Sequence, residues 1–404
     1  MPGWVDKVGI GAFGLFASLF MLATAPAGEA SEPPRPQHVF IIVLENEGYH
    51  ITFGAGSPAT YLDKLAKQGA LLQNYYAIGH FSLDNYLAMI SGQAPNPVTQ
   101  SDCQKFVEFV QTGTAPDGQA LGSGCVYPAS VRTLANQLED KGLNWKGYME
   151  DMGNIPSRES ATCGHPAIGQ ADGTQRAAVG DQYATRHDPF MYFHAIIDRP
   201  SCDRHVVNLR ALQDDLKSVE TTPNYAFITP NLCHDGHDGG GEKKERRCVD
   251  GEPGGLVSAD LFLKETIPTI LASPAFKKDG LLIVTFDEAD LDVKYDEATK
   301  SVEVEGGDAA ACCGEGPAPN IGPGAVVFGN VPDKGPGAFG PGGGRIGAVL
   351  LSPLIKPGTV SQVPYNHYSL LRSVEDFFGL DHLGYAATDG LRPFGRDVFT
   401  KSRQ

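Results

Sequence analysis

Three short apolar runs constrain this chain more than any other feature: Val39–Leu44, Tyr225–Thr229 and Leu281–Phe286. None alternates apolar with polar residues, so each predicts a strand buried on both faces, the mark of a parallel sheet covered by helices. Helical patterns fall between and after them, at Ala59–Gly69, Val131–Gly142, Leu209–Lys217, Ala259–Ala272 and His367–Leu380. Shorter strands are expected at Trp145–Tyr148, Ala325–Phe328 and Ile346–Leu351, while Phe190–Ile197 fits either a strand or a helix. Strands alternating with helices predict an α/β fold, a doubly wound, mostly parallel central sheet with helices on both faces. Two loop-rich excursions, 95–127 and 306–344, interrupt it, and no internal repeat is present.

With 404 residues, 41% of them hydrophobic and 20% charged, the chain can bury a large core. A net charge of −16 with no compensating basic run excludes nucleic acid and anionic membranes as main partners. An acidic protein acting on an anionic substrate would have to neutralise charge locally, and a metal cation does so. Residues 1–30 read as a secretory signal peptide: Lys7, an apolar run from Val8 to Ala25, then two small-residue cleavage patterns, Ala23-Thr24-Ala25 and Gly28-Glu29-Ala30. An uncleaved anchor is the alternative, and no other stretch is long and apolar enough for stable membrane insertion. The expectation is therefore a single domain, 31–404, that is secreted, periplasmic or on the cell surface. Eight cysteines, all after the signal, suit disulfides outside the cytosol. Cys103–Cys125, Cys163–Cys202 and Cys233–Cys248 would close loops. Cys312 and Cys313 are adjacent and could pair with each other or elsewhere, and no Cys-x-x-Cys offers zinc a thiolate site.

In open α/β sheets, sites form beyond the carboxyl ends of the strands. Here the three apolar strands stop at Glu45-Asn46, at the run Asn231–Asp238, and at Asp287-Glu288. The Asn231–Asp238 run packs His234, Asp235, His237 and Asp238 around Gly236, which suits either a solvated turn or oxygen and nitrogen ligands for a metal. Ser82 starts a short helical pattern after the irregular segment Ala77–His80. It reads as an N-cap bonded to an amide one turn on, or as a nucleophile held at the positive end of a helix. His367, at a helix start, gains weight as a ligand only from these companions.

These stretches, taken together, resemble the bacterial phosphoesterase family of secreted acid phosphatases and phospholipases C, within the alkaline phosphatase superfamily. The matching motifs are Val43-Leu44-Glu45-Asn46, His80-Phe-Ser-Leu-Asp-Asn-Tyr86, Thr229–Asp238, Val284–Asp290, Gly344–Pro353 and Tyr365–Asp376, in the family's order across nearly the whole mature chain. The resemblance implies an alkaline-phosphatase-like fold, with Ser82 as a nucleophile that becomes phosphorylated. It implies a divalent metal ion held by Glu45, Asn46, Ser82, Asp287 and Glu288, and Asn85 donating to a phosphoryl oxygen. Asn231, His234 and His367 fall where second-metal ligands stand in that superfamily. However, Asn231 replaces an expected Asp and Glu288 an expected His, so one cation of open identity is expected and a second is the alternative. His234 or His237 would protonate the leaving oxygen. The expected function is an exported phosphoric ester hydrolase, a phosphomonoesterase first and a phospholipase C or phosphodiesterase second. A catalytically silent secreted binding protein is the reading from another class. Oligomeric state is left open.

Overall fold

His38–Leu44 (β1) buries all seven of its residues, as its unbroken apolar run demands. It lies inside an eight-stranded sheet in this computed structural model, which describes residues 1–4, 9, 35–237, 247–296, 301–316, 318–321, 328–331, 335–337 and 342–400. The expected signal segment lies almost wholly outside these residues, as do Asp238 and Ala325–Val327. The other strands are β2 (Ala70–Leu72), β3 (Trp145–Met149), β4 (Val206–Asn208), β5 (Tyr225–Thr229), β6 (Gly280–Phe286), β7 (Ala348–Leu351) and β8 (Thr359–Ser361). Their order across the sheet is β8-β2-β7-β6-β1-β5-β3-β4. Pairings are parallel except at β7, which runs antiparallel to both β6 and β2.

Register decides where the polar strand ends meet. His38 pairs with Gly280 and Leu44 with Phe286, so β1 and β6 finish level and release Glu45-Asn46 and Asp287-Glu288 side by side. On the other flank, Ile42 pairs with Ile228 of β5, and the chain after β5 returns so that Glu45 N–H donates to Asp235 O at 2.8 Å.

Strands buried on both faces need cover on both sides. Helix α1 (Thr60–Gln68) packs with α4 (Gly255–Ala272), while α2 (Ser82–Ser91) packs with α3 (Leu134–Asp140) and α5 (His367–Phe378). Helix starts are satisfied as the sequence allows. Ala59 cannot cap α1, so Asp260 of α4 accepts from Tyr61 and Leu62 N–H at 2.9 Å, tying the two helices together. Thr133 and Asn136 form a reciprocal capping box on α3, and Asn366 Oδ1 accepts from Ser369 N–H on α5.

Apart from Ala325–Phe328, of which only Phe328 is among the described residues, the expected strands and helices recur within a few residues of their expected limits. Three departures have local causes. Strands β2, β4 and β8 are three residues each, too short to show a period. Leu209–Lys217 is a 3-10 turn, Leu209–Ala211, running into the one-turn helix Leu212–Asp215. Phe190–Ile197 becomes the 3-10 turn Pro189–Tyr192 and the helix His194–Ile197, started by Pro189 and by Asp188, whose carboxylate accepts from Phe190 N–H. Disulfides join Cys103–Cys125, Cys163–Cys202 and Cys233–Cys248, and the neighbours Cys312 and Cys313 pair with each other. The first ties down the excursion that holds the hairpin Val110–Thr114/Ala120–Ser123. No described helix is long and apolar enough to cross a membrane.

Candidate active site

Every residue of α2 is buried. Its polar side chains therefore need partners, and those partners assemble a site. Ser82 is the first helical residue and not the N-cap; Phe81 takes the cap position at φ 79°, a left-handed conformation that costs a side-chain-bearing residue energy. That turn aims the Ser82 hydroxyl away from the helix amides, and it donates to Glu45 Oε2 at 2.6 Å. The helix amide of Leu83 goes to Asp102 Oδ1 at 3.1 Å. The cap reading of Ser82 is thereby excluded.

Asn85 departs from expectation. Its oxygen accepts from Ile78 and Gly79 N–H (3.0 and 3.2 Å), and its amide donates to Gly79 and Phe81 O (2.9 and 3.1 Å). That is the full hydrogen-bonding capacity of the group, so none remains for a phosphoryl oxygen. Asn85 clamps the loop that carries Ser82.

Glu45 is fully buried and receives a second hydrogen bond, from Tyr86 OH at 2.5 Å. His187 stacks on the Tyr86 ring, centroids 5.3 Å apart, with Nε2 3.4 Å from Glu45 Oε1 and Nδ1 3.8 Å from Asp235 Oδ2. Arg186 lies beside it, 8% exposed, with Nε 3.9 Å from Asp102 Oδ2. On the opposite flank Asp287 Oδ1 accepts from Asn46 and Glu288 N–H (3.0 and 2.6 Å). Glu288 has both oxygens engaged: Oε2 with His80 Nδ1, and Oε1 with Phe81 N–H at 3.0 Å and Asn46 Nδ2 at 3.3 Å. It braces the Ser82 loop, and it carries no orphaned oxygen of the kind found at Asn46 and Asp287.

The electrostatics are lopsided. Burial, then Asp287 and Asp235, hold the Glu45 carboxyl well above the usual range, against the hydrogen bonds from Ser82 and Tyr86. Burial and then Glu288 do the same to Asp287, and burial with Glu288 and Asp102 to Asp84. Burial, Arg186 and His237 push His187 well below the ordinary imidazole value, and burial takes His80 down to about 4. Neutral imidazoles cannot balance these carboxylates, and Arg186 sets one guanidinium against Asp102, Glu45 and Asp235 together. Asn46 Oδ1, Asp287 Oδ2 and both Asp84 oxygens are buried without a hydrogen-bond donor. Orphaned oxygens in an acidic pocket are the donor set that a hard divalent cation takes. Glu45, Asn46, Asp287 and the Ser82 hydroxyl fit such an ion.

The remaining expected ligands stand elsewhere. Asn231 donates to Asp151 Oδ2 at 2.8 Å and its oxygen accepts from Cys233 and His234 N–H, so it shapes a turn. His234 sits between Glu150 (2.9 Å) and Glu252 (3.3 Å); although burial works against it, those carboxylates push its imidazole up to about 9. An imidazolium is neither a ligand nor an acid matched to neutral pH. His367 spends Nε2 on Asp287 O (2.6 Å) and Nδ1 on Tyr75 OH (3.1 Å), so it positions Asp287 and has no nitrogen left for a second metal. His237 alone of these is exposed, and its charge reaches His187. Cysteine, histidine and carboxylate atoms also gather within 4.8 Å at Cys233 with Cys248 and Asp250, and at Cys233 with His234 and Glu252, but those sulfurs are in a disulfide. Sequence reasoning missed Tyr86, Asp102, Arg186 and His187. No strand end points to Arg186 or His187, and only the joined Arg-His pair in a loop-rich stretch hints at them.

The model of the Phosphoesterase family matches residues 55–381, a span that runs from before α1 to past the end of α5. The chain belongs to the Phosphoesterase family. Within that span lie Ser82, Asp287 and His367, while Glu45-Asn46 precede it. A probable acid phosphatase of Kluyveromyces lactis is 26% identical over 345 residues, 85% of this chain and 59% of the relative. A phosphatidylinositol-3-phosphatase of Mycobacterium tuberculosis is 22% identical over 379 residues, 94% of this chain and 89% of the relative. The chain spans about half the length of the fungal acid phosphatases it matches, and the acid phosphatases found are fungal where the motifs suggested bacterial ones. Among solved structures, a protein of the alkaline phosphatase superfamily from Vibrio parahaemolyticus is 12% identical, covering 91% of this chain and 74% of that one at a TM-score of 0.45.

Proposed function

We propose that this chain is an exported, divalent-cation-dependent phosphomonoesterase that works through a phosphoserine at Ser82. One observation carries the reading: the Ser82 hydroxyl, turned out of its helix by Phe81, donates to a buried Glu45 at the edge of a pocket of unbalanced carboxylates. Glu45, Asn46 and Asp287 would hold the cation with Ser82. Bound there, it would supply positive charge for the phosphoryl oxygens and lower the pKa of the serine hydroxyl.

The chain's own groups supply the rest. Glu45 Oε2, 2.6 Å away, orients the Ser82 hydroxyl and takes its proton as Oγ closes on phosphorus. Tyr86 OH holds the other Glu45 oxygen, so the carboxylate cannot swing away. Arg186 brings a buried guanidinium to the same side, where it compensates the charge of a bound phosphoryl group. His237, exposed at the edge of the site, protonates the leaving oxygen. Water then attacks the phosphoserine from the vacated side and gives a proton to the now neutral His237, while Oγ leaves with the proton that Glu45 holds, which restores both groups.

Monoester preference is supported by the relatives, whose names are those of acid phosphatases and of a phosphatidylinositol-3-phosphatase. Four disulfides suit an oxidising compartment, in support of export. The test is hydrolysis of para-nitrophenyl phosphate, bis-para-nitrophenyl phosphate and para-nitrophenyl phosphocholine, with and without divalent metals. Turnover of the monoester alone is the expected result. Preference for either diester would replace it with a phosphodiesterase or phospholipase C.

A further inference from the structure

Three of the four disulfides close chain loops, with sequence separations of 15, 22 and 39. Such cross-links stabilise a fold by restricting the unfolded chain, and the effect grows with loop length. Cys312–Cys313 has a separation of 1 and closes no loop. Its effect is confined to the backbone around it, where Cys313 adopts φ 68°. Removing it would leave the fold standing.

What surrounds that backbone is the Ser82 site. Towards the nucleophile, Ala310 O accepts from Gly344 N–H at 3.1 Å, and Asp308 Oδ2 accepts from Arg345 N–H at 3.1 Å. Gly343 N–H donates in turn to Ala77 O at 3.2 Å, and Gly342 N–H to Ile78 O at 3.3 Å. Ile78 is the start of the loop that Asn85 clamps and that ends in Phe81 and Ser82. Gly343 O also accepts from Ala289 N–H, two residues beyond Asp287. Towards the other side, Cys312 Sγ lies 3.3 Å from Tyr365 O, and Glu315 Oε1 accepts from Asn366 Nδ2 at 3.0 Å. Asn366 caps α5, and His367 beside it holds Asp287 O. Cys313 itself packs on a small apolar cluster that contains Ile78, Ala88, Tyr368 and Tyr385, residues of the Ser82 loop, α2, α5 and the segment after α5.

We propose that the Cys312–Cys313 disulfide is a redox-sensitive positioning element: closed, it holds segment 308–316 against both the Ser82 loop and the His367–Asp287 contact, and opened, it releases them. This rests on Ser82 as the nucleophile only for its consequence in turnover. The opening reaction is thiol–disulfide exchange with a dithiol reductant. One thiolate of the reductant attacks a sulfur of the pair and forms a mixed disulfide. The second displaces it, giving two cysteine thiols that carry the reductant's two protons and the reductant's own disulfide. Both cysteines are partly exposed, so a small dithiol reaches them.

The test titrates the full chain with dithiothreitol, following three readouts: which cysteines become alkylatable, hydrogen exchange of the peptide spanning residues 77–91, and turnover of para-nitrophenyl phosphate. Expected is that Cys312 and Cys313 react first, exchange across 77–91 accelerates while far-ultraviolet circular dichroism stays constant, and turnover falls about tenfold or more. Reoxidation restores both. The double variant Cys312→Ser/Cys313→Ser behaves as the reduced protein at every dithiol concentration. The proposal is overturned if the pair opens with no change in exchange at 77–91, or if the double variant matches the oxidised protein in exchange. If the oxidised protein turns over no ester, the phosphomonoesterase reading fails, and the exchange data alone decide the positioning role.

Discussion

Ser82→Ala deletes one oxygen from a fully packed helix and leaves Glu45 its hydrogen bond from Tyr86, so the fold is expected to persist. Turnover of the monoester should drop about a thousandfold or more, since no neighbouring hydroxyl can replace a nucleophile. Kinetics beside circular dichroism check this, and unchanged turnover in a folded variant would remove Ser82 from the mechanism. Asn85 separates two roles. A phosphoryl donor would show its loss in turnover alone. A loop clamp would also lose stability, because Asn85→Ala leaves two buried amides and two carbonyls unpaired, each costing about 1–3 kcal/mol where water does not replace the side chain. The structure predicts both losses, read from denaturant unfolding and kcat. At His234 the sign of the pH effect is fixed by its partners. Its folded pKa is raised to about 9, so the stability it contributes is fully present below the ordinary imidazole value. It is lost as pH rises through about 9. The melting temperature of the parent should therefore fall more steeply than that of His234→Gln between neutral pH and pH 10, and parallel slopes would contradict the ion pairs with Glu150 and Glu252.

How legible the elements were in the sequence depended on how burial is patterned. Strands β1, β5 and β6 could be placed because each is an uninterrupted apolar run, and their polar ends marked the side of the sheet where Glu45 and Asp287 meet. The three-residue strands β2, β4 and β8 carry no period and were invisible. Ser82 was legible as a helix-start residue, but the same position serves a cap and a nucleophile. Only the left-handed Phe81 decides between them, and backbone conformation at a phenylalanine is not written in its type. The Asn231–Asp238 run misled for a related reason. Its residue types suit a metal, yet Asn231 and His234 turn towards Glu150, Asp151 and Glu252, while Asp235 goes to the Glu45 side. Alternating residues on a turn face different ways, and spacing alone does not assign them.

At the scale of the whole molecule, a chain of net charge −16 concentrates buried carboxylates around one serine, and that arrangement has to be neutralised to act on an anion. Chelation of divalent ions is therefore expected to abolish turnover and to lower the melting temperature, with both restored by the ion. A melting temperature indifferent to chelator would argue against a cation among Glu45, Asn46 and Asp287. The loop-closing disulfides stabilise the fold as a whole: replacing Cys163 and Cys202 by alanine should cost about 4 kcal/mol by the loop-entropy relation, without a specific loss in KM. The most direct measurement of the central claim is the phosphorylated intermediate itself. The protein is mixed with para-nitrophenyl phosphate, quenched in acid during turnover, digested and analysed by mass spectrometry. The account predicts one added phosphoryl group on the peptide from His80 to Ser91, placed on Ser82 by fragmentation and absent from Ser82→Ala. Active turnover with no phosphoserine on that peptide, or with the phosphoryl group on another residue, would contradict it.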